Sequence, residues 1–499
     1  SELKQVWQKF FASRRRLAWA CAWSASHGRM GIALRAAVLS LALAAVPALG
    51  GAPADRPAVP SEVLDLAPAR TVVNLTALCH NAGVVASAAA DLGSEVMAVV
   101  KADAYGHGAV RSSLALAACG IQAFAVATLP EAVQLRVGGL GRERQVLVLG
   151  APLPGDVAVM AKYGVQVVCS SVEVATIIAR AAAAVPAVDL PLDVHIYAET
   201  GMTRLGLRME DVDRALDELL AVESRIRIAG LMTHFATAAE PGSDFVSKQM
   251  DIFDEIKRRV RAHALLVGRE LPLHFSNTPA LVDAKFHEMM RRGNGTYARP
   301  GSALYGMYEE GPLPQIRRAL GEPVEPDSFR RAWLKDLDIV PIVKGQLLEV
   351  MTFAAKITNV EVVEQGTTVG YGRTWTAPRR CLIATVGAGY ADGFPRAASH
   401  QANVGINGRF YPVAGTACMD MTMVDLGDPT GPGSKVRVGD EAVFFGPGGV
   451  SAAELAYQAG TSFAEILTGI QGRVRRVYVG GPEERAADAP SGQAAGGFV

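Results

Sequence analysis

The sequence predicts an α/β fold in two parts, a (β/α)8 TIM barrel followed by a C-terminal mostly β domain. Short apolar runs alternate with stretches whose apolar residues recur at helical spacing, as in 172–184, 210–222 and 246–266. Eight such units in about 250 residues are typical of a barrel of parallel strands, with a doubly wound sheet as the competing architecture. The eight predicted strands are Val96–Lys101, Ala123–Ala127, Val146–Gly150, Val165–Cys169, Leu192–Ala198, Ile228–His234, Leu273–Ser276 and Tyr297–Tyr305.

The pattern changes after Tyr305. Residues 311–344 are rich in proline and charge and indicate a surface excursion or linker, and strand-like runs separated by turn residues follow from Met351. We therefore divide the chain into an N-terminal segment (1–65), a barrel (66–345), a β domain (346–480) and a disordered tail (481–499). The predicted strands of the β domain are Phe353–Val363, Cys381–Val386, Ala402–Ile406, Tyr411–Ala414, Met421–Leu426, Lys435–Val438 and Glu441–Phe445.

The N-terminal segment differs from the rest of the chain. It has no acidic residue between Glu2 and Asp55, and a short apolar core at 36–45 is followed by small residues ending in an A-x-A pattern. This order is typical of a secretory signal peptide, so we expect an exported or periplasmic protein without a stable membrane span. An organellar transit peptide and an unstructured tail from a misassigned start codon are the alternatives, the latter with a cytoplasmic protein.

Composition excludes some classes of function. The 49 Lys and Arg residues balance 49 Asp and Glu residues, which argues against a nucleic-acid-binding protein. The six cysteines are widely separated and include no C-x-x-C pair. This spacing predicts no metal site and argues against a disulfide framework, so most of the cysteines are interpreted as buried small apolar residues.

Polar residues stand where predicted barrel strands end, the face that carries function in such barrels. Lys101 ends the first strand, His234 the sixth, Asn277 and Thr278 follow the seventh, and Arg299 lies in the eighth. A lysine that loses hydration at the end of an apolar strand has a lowered pKa and can attack a carbonyl group to form a Schiff base. The alternatives are a lysine that reaches solvent, a structural histidine and a surface ion pair of the arginine.

The β domain contributes a second candidate. Tyr390 stands between glycines after a predicted strand, in Gly387-Ala388-Gly389-Tyr390-Ala391-Asp392-Gly393, where it can be exposed at a loop tip. An ordinary turn aromatic is the alternative. A titratable phenol held opposite a lysine is what proton transfer on two faces of a planar carbon requires.

These strings closely resemble motifs of the alanine racemase family, in the same order and over about residues 68–480. The matching segments are Val99-Val-Lys-Ala-Asp-Ala-Tyr-Gly-His-Gly108, Thr200-Gly-Met-Thr-Arg-Leu-Gly206, Met232-Thr-His-Phe-Ala236, Arg299-Pro-Gly301, Gly389-Tyr-Ala-Asp-Gly393 and Gly415-Thr-Ala-Cys-Met-Asp-Met421. The resemblance implies a fold of a barrel plus a β domain and the cofactor pyridoxal 5′-phosphate (PLP).

The resemblance also implies roles for individual residues. Lys101 holds the cofactor and acts as one acid/base, and Tyr390 acts as the other on the opposite face. Arg299 faces the pyridine nitrogen, His234 stacks on the ring, and Arg204 bonds the phenolic oxygen and helps to bind substrate. The implied phosphate ligands are Tyr105, Asn277, Thr278, Gly301 and Ser302, and the implied neighbours of the substrate carboxylate are Cys418, Met419 and Asp420. The β domain of one subunit completes the site of the other, which implies a homodimer.

Four departures from the family pattern concern this site. Tyr197 replaces a lysine, often carbamylated, that braces the arginine at 204, and Ala464 replaces a tyrosine that binds phosphate near the substrate. Thr278 replaces a serine, and the segment Gly311–Asp338 is longer than usual.

The sequence therefore predicts a PLP-dependent amino-acid racemase, with L- and D-alanine as first-choice substrates. The nearest alternative is an exported racemase of broad specificity, because Ala464 leaves room where the family has a ring. A barrel-type PLP amino-acid decarboxylase fits Lys101 but not Tyr390 and Arg299. A PLP carrier without activity fits the barrel but not the β domain.

Overall fold

The computed structural model describes residues 66–240, 243–308, 343 and 346–481. The predicted targeting segment, the Gly311–Asp338 segment and the tail beyond Gly481 lie outside the described residues.

Eight parallel strands form the predicted barrel. Their spatial order is β4-β3-β2-β9-β8-β7-β6-β5, and a parallel bridge between Leu147 and Gln166 closes the gap between β4 and β5. The β strands up to this point are β1 (Ala69–Asn74), β2 (Glu95–Val99), β3 (Ala123–Val126), β4 (Gln145–Val148), β5 (Val167–Cys169), β6 (Leu192–Tyr197), β7 (Ile226–Met232), β8 (Leu273–His274) and β9 (Tyr297–Ala298).

Helices surround the barrel because their apolar faces cover its outer surface. They are α1 (Leu75–Ala90), α2 (Ala109–Ala118), α3 (Leu129–Val137), α4 (Asp156–Tyr163), α5 (Val172–Ala184), α6 (Val212–Leu220), α7 (Phe245–Ala262), α8 (Thr278–Val282) and α9 (His287–Gly293). The predicted helix at 172–184 is confirmed to the residue, and those at 210–222 and 246–266 are shorter. The predicted strand Tyr297–Tyr305 is wrong beyond Ala298, because Pro300 has no N–H and a 3-10 turn begins at Ser302.

The second sheet is mostly antiparallel, with the order β15-β14-β17-β10-β1-β18 and with β13 and β16 branching from β10. Its elements are β10 (Met351–Val363), β11 (Thr368–Val369), β12 (Trp375–Thr376), β13 (Cys381–Val386), β14 (Asn403–Ile406), β15 (Arg409–Pro412), β16 (Thr422–Gly427), β17 (Glu441–Phe445), α10 (Ala452–Ala459), α11 (Phe463–Thr468) and β18 (Arg475–Val479), of which β11 and β12 form a separate pair. The predicted strand Lys435–Val438 is wrong, since Pro432 and Gly433 start a 3-10 turn that ends at Lys435.

Strand β1 belongs to this second sheet although it precedes the barrel in the chain. It pairs antiparallel with β10 and parallel with β18. Nothing in the local sequence of β1, a single strand before a long helix, indicates this pairing. The sheet of the β domain is therefore completed by a strand from the start of the described chain.

Cys79 and Cys119 form a disulfide, so the interpretation of the cysteines as buried small apolar residues is wrong for these two. It joins α1 to the residue that ends α2, and 40 positions separate the two cysteines in sequence. Spacing alone could not reveal it, because the two helices are brought together only by the barrel. Within the described ranges, none of the helices is both long and apolar enough to span a membrane.

Candidate active site

Lys101 lies just beyond the end of β2 and begins an unusual turn. Residues 102–105 all have positive φ angles, from 51° at Tyr105 to 55° at Asp103, and none of them is glycine. A left-handed conformation costs an L-residue roughly 1–2 kcal/mol. The turn must therefore be held in place by its surroundings, as is common where a backbone positions a reactive side chain.

The barrel itself supplies the first set of contacts that hold the Lys101 turn. The Ala102 N–H donates to Glu131 Oε1 at 2.8 Å, and the Ala109 N–H donates to Asp103 Oδ1 at 2.7 Å. Glu131 also accepts from the Thr128 N–H in the capping box of α3. One carboxylate thus ties the turn after β2 to the start of α3.

The β domain supplies the second set of contacts. Arg476 Nε donates to the Gly106 carbonyl at 2.6 Å, and its guanidinium lies 3.4 Å from Asp103 Oδ2. A Cβ at Gly106 would lie 2.2 Å from the carbonyl oxygen of Leu467 in α11, and one at Gly108 would lie 1.8 Å from the Tyr478 hydroxyl. The backbone of the β domain therefore requires glycine at 106, and the positive φ angle of 90° favours glycine at 108.

The surroundings of Lys101 favour its neutral amine. Burial lowers the pKa of Lys101, the positive charge of Arg204 lowers it further, and Glu131 opposes these effects. The Arg204 guanidinium in turn donates from Nη2 to the Tyr197 hydroxyl at 3.2 Å, and Tyr197 is buried in the barrel interior. A lysine in this environment is suited to nucleophilic attack on an aldehyde.

Arg299 is buried at only 4% exposure, so the alternative of a surface ion pair is wrong. Its Nη1 donates to His274 Nδ1 at 3.0 Å, and its Nη2 donates to the carbonyl of Thr233. Burial lowers the pKa of Arg299 to about 10, Tyr197 opposes the shift and Arg204 adds to it, which leaves the side chain charged at neutral pH. Burial and the charges of Arg299, Arg204 and Lys101 lower the pKa of His234 to about 3, so this imidazole is neutral.

Three of the predicted phosphate ligands converge. The buried Thr278 hydroxyl accepts from the Gly301 N–H at 3.1 Å, and a Cβ at Gly301 would lie 2.5 Å from the Tyr105 hydroxyl. Asn277 Oδ1 accepts from the Ala280 N–H as the cap of α8, and Ser302 begins the following 3-10 turn. The cradle of Tyr105, Thr278 and Gly301 has the hydroxyl donors that a phosphate requires.

The predicted residues of the β domain form a second group. The Tyr390 N–H donates to the Cys418 carbonyl at 3.1 Å, and the Ala391 N–H donates to the Met419 carbonyl at 2.9 Å. None of these bonds involves the Lys101 turn. Tyr390 and Met419 are exposed, at 40% and 52%.

Arg473 joins the two loops of this group. It donates two hydrogen bonds to the buried Asp392, at 2.7 and 2.8 Å, and one to Asp420 at 2.8 Å. Asp392 in turn accepts from the Gly389 N–H next to Tyr390. The arginine therefore fixes the Tyr390 loop against the loop that carries Met419.

Glu131, Arg473 and Arg476 hold the candidate residues in place and were not predicted from the sequence. Only Glu131 had a sequence signal, because Thr128 three positions earlier completes a capping-box pattern. The two arginines come from the last described segment, far along the chain from the loops that they hold.

The barrel, the lysine with a lowered pKa beyond the end of its first strand and the β domain that holds the turn after this lysine define a two-domain barrel enzyme of the lysine-linked cofactor class. Two family models match the chain: the N-terminal domain of alanine racemase over residues 73–309 and its C-terminal domain over 350–478. The chain belongs to the alanine racemase family.

Individual relatives agree with this assignment. The alanine racemase of Chlorobaculum tepidum is 34% identical over 386 residues, which are 77% of this chain and 88% of the relative. That of Geobacter sp. (strain M21) is 33% identical over 428 residues, 84% of this chain and 100% of the relative.

Solved structures show the same architecture. The alanine racemase from Streptomyces coelicolor A3(2) superposes with a TM-score of 0.69 at 32% identity and covers 84% of this chain and 99% of its own. The alanine racemase from D-cycloserine-producing Streptomyces lavendulae has the same TM-score at 29% identity, with coverages of 84% and 98%. A more distant neighbour at 24% identity, with a TM-score of 0.66 and coverages of 83% and 100%, is the alanine racemase from Bartonella henselae with covalently bound pyridoxal phosphate.

Proposed function

We propose that the protein is a PLP-dependent alanine racemase that uses Lys101 and Tyr390 as its two acid/base residues. The observation that carries the proposal is the lowered pKa of Lys101, which is held at the mouth of the barrel by contacts from both domains. Membership of the alanine racemase family supports the choice of reaction and substrate.

The residues present fit the cofactor. Lys101 would hold it covalently, and the cradle of Tyr105, Thr278 and Gly301 would take its phosphate together with Asn277 and Ser302. Arg204, Arg299 and Lys101 lie close enough to His234 for their charges to lower its pKa. When bound, the cofactor withdraws electrons from the α-carbon of an amino acid and so makes its proton removable. Arg299 has no acceptor and stays charged at neutral pH, so it offers only N–H donors.

The side chains of the protein then move the proton. Lys101, whose pKa is lowered by burial and by Arg204, accepts a proton from the α-carbon on one face as an amine or returns it there as an ammonium group. Tyr390 does the same on the opposite face, where its phenolate accepts the proton and its phenol returns one. Arg204 lies near Lys101 and provides the positive charge that a substrate carboxylate would find there.

We further propose a homodimer whose sites are shared between subunits. Tyr390, Met419, Met421 and Tyr371 are large side chains with exposures between 40% and 70%. They belong to neighbouring loops, since the Thr374 and Thr416 hydroxyls are hydrogen-bonded at 3.1 Å. Exposed aromatic and methionine side chains of this kind are typical of a protein–protein interface. A partner barrel on this surface would bring Tyr390 to the partner's lysine.

The reaction is tested with purified protein and single amino acids in deuterated water, by following optical rotation and α-deuterium together. We expect L-alanine and D-alanine to lose optical rotation while deuterium enters the α-position. Release of carbon dioxide without racemisation would instead identify a decarboxylase, and absence of any exchange would support a carrier of the cofactor.

A broad-specificity racemase is the second candidate. Helix α11 lies against the Lys101 turn, as the contact between Leu467 and Gly106 shows, and Ala464 on this helix is only partly buried. A tyrosine at this position would add a ring to this helix three residues before Leu467, whose backbone contacts the turn. A hydrophobic pocket discriminates one methylene by only about 1–3 kcal/mol. We expect the unaltered enzyme to have a measurable kcat/KM for serine and methionine. In Ala464→Tyr these two values should fall relative to the value for alanine. Strict alanine preference in the unaltered enzyme would contradict this candidate.

We propose that the protein is exported. The Cys79–Cys119 disulfide supports this, because disulfides persist in oxidising compartments and are rare in the cytosol. The test fuses residues 1–65 to a reporter that is active only after export. An inactive reporter, with the full-length protein in the cytosolic fraction, would contradict export.

A further inference from the structure

A continuous line of polar side chains crosses the barrel interior from Arg299. Arg299 Nη1 lies 3.0 Å from His274 Nδ1, His274 Nε2 lies 2.9 Å from His195 Nδ1, and His195 Nε2 lies 3.1 Å from the Oε1 atom of Gln166. Both histidines are buried, with 0% and 1% exposure. The chain of hydrogen bonds therefore runs without solvent contact at its centre.

The far end of the line is anchored by an ion pair. Gln166 Nε2 donates to Asp193 Oδ2 at 3.3 Å, and Arg227 binds both oxygens of Asp193 at 2.7 Å. Asp193 and Arg227 stand near the starts of β6 and β7, and Gln166 precedes β5. Arg299 follows the end of β9. The line thus connects the bottom of the barrel with the end that carries Lys101.

The direction of every hydrogen bond follows from Arg299. A guanidinium can only donate, so His274 Nδ1 must be the acceptor and the single proton of this ring must be on Nε2. That proton points at His195 Nδ1, which must accept, so the proton of His195 is on Nε2 and points at the Gln166 oxygen. Each donor in the line points away from Arg299.

A second proton on either histidine is energetically unfavourable. Burial lowers the pKa of His195 to about 4, with Asp193 opposing and Arg299 and Arg227 adding to the shift. Burial, Arg299 and His195 hold the pKa of His274 well below its usual range. The backbone also makes room for the line, because a Cβ at Gly230 would lie 2.4 Å from His195 Nδ1.

We propose that His274 and His195 are positioning residues that hold the Arg299 guanidinium charged and oriented through a one-directional hydrogen-bond chain ending at the Asp193–Arg227 ion pair. In the racemase proposed above, on which this consequence rests, the chain has no proton to deliver towards the cofactor ring, because every donor from Arg299 to Gln166 points away from Arg299 and Asp193 only accepts. Arg299 would then stay a pure donor throughout turnover.

The test is imidazole NMR of the resting holoenzyme labelled with 15N-histidine. Both rings should show a non-protonated Nδ1 and a protonated Nε2, unchanged between about pH 6 and about pH 9. A protonated Nδ1 on either ring, or titration of either ring in this range, would overturn the proposal. The measurement needs no turnover, so it can succeed even where the racemase proposal fails, and the reverse also holds.

Two variants at the far end test the direction of the chain. Gln166→Glu places a carboxylate against His195, which should raise the pKa of His195, bring a proton onto its Nδ1 and disturb the His274 signals. Gln166→Met removes the last acceptor without adding charge, so the His274 tautomer should persist, since Arg299 sets it. Unchanged spectra in Gln166→Glu, or a switched His274 tautomer in Gln166→Met, would contradict the proposal.

The matched control is Gln145→Glu. Gln145 occupies the first position of β4, and its side chain donates to the Tyr297 hydroxyl instead of a histidine of the chain. This variant adds the same negative charge at the bottom of the barrel. Its partner Tyr297 makes an edge contact with the His274 ring at 6.3 Å, so the His274 chemical shifts can move, but both imidazoles should keep their tautomers and stay neutral. A protonated Nδ1 on His195 that appears equally in Gln145→Glu and Gln166→Glu would show a general charge effect and defeat the proposal.

Discussion

At the scale of single residues, Lys101 has two tasks in the proposed reaction, and both need a neutral amine. Its pKa is lowered by burial and by Arg204, and this depends on the barrel and not on the local sequence. Lys101→Ala removes the nucleophile and one acid/base together. We expect loss of the cofactor's visible absorption from the purified protein and a fall in kcat of at least about 100-fold. A variant that keeps both the absorption and the activity would exclude Lys101 from the mechanism.

Tyr197 is the hydrogen-bond partner of Arg204, at the position where the family resemblance implies a lysine. Hydrogen bonds to charged groups contribute about 1.5–3 kcal/mol. We therefore expect Tyr197→Phe to lower kcat/KM by about tenfold or more while cofactor content is retained. The change should appear mainly in KM if Arg204 contacts the substrate carboxylate.

Tyr297→Phe is the control for Tyr197→Phe. It removes a hydroxyl from the same barrel interior, where the partner is Gln145 and not Arg204. Its kinetic constants should stay within about twofold of the unaltered enzyme. Equal kinetic losses in the two variants would show that Tyr197 has only a structural role.

At the scale of elements, the left-handed turn after β2 predicts that replacing an alanine by glycine does not lower the free energy of unfolding, which is the opposite of the usual effect. Ala102 is exposed and has a φ angle of 53°, a conformation that costs alanine roughly 1–2 kcal/mol but glycine little. Ala102→Gly should therefore leave the free energy of unfolding unchanged or raise it by up to about 1 kcal/mol. Ala183→Gly, on the exposed side of the right-handed helix α5, should lower it by about 0.5–1 kcal/mol. Denaturant unfolding measures the free energy of unfolding of both variants. A clear loss of stability in Ala102→Gly would contradict backbone strain at Ala102.

Elements with a strong local pattern could be predicted, and elements defined by distant partners could not. The eight barrel strands could be predicted because each is a short apolar run that is visible in the local sequence. Lys101, His234 and Arg299 could be predicted as site residues because they stand at the ends of such runs. The turn after Lys101 was not predicted, since it contains no glycine at 102–105 and is imposed by Glu131 and Arg476. The tautomers of His195 and His274 likewise follow only from Arg299, on another strand.

At the scale of the whole molecule, the proposed sharing of sites can be tested by mixing two inactive variants. A Lys101→Ala subunit keeps its tyrosine, and a Tyr390→Phe subunit keeps its lysine. In a mixed dimer with shared sites, one of the two sites regains both groups. Random reassociation of equal amounts should therefore restore about a quarter of the activity of the unaltered enzyme. No recovery, with mixed dimers confirmed by differential tags, would place both groups of each site in one subunit.

The insertion of β1 between β10 and β18 has a consequence during synthesis of the protein. The Thr71 hydroxyl of β1 bonds the Arg475 carbonyl of β18, and the two residues are 404 positions apart. At translation rates of about 5–20 residues per second, β1 leaves the ribosome roughly 20–80 s before its parallel partner exists. For that time an unpaired strand edge is exposed on the nascent chain, ahead of a barrel that can already begin to fold. A chaperone that shields such edges should therefore bind nascent chains that lack β18 and release them once it is present.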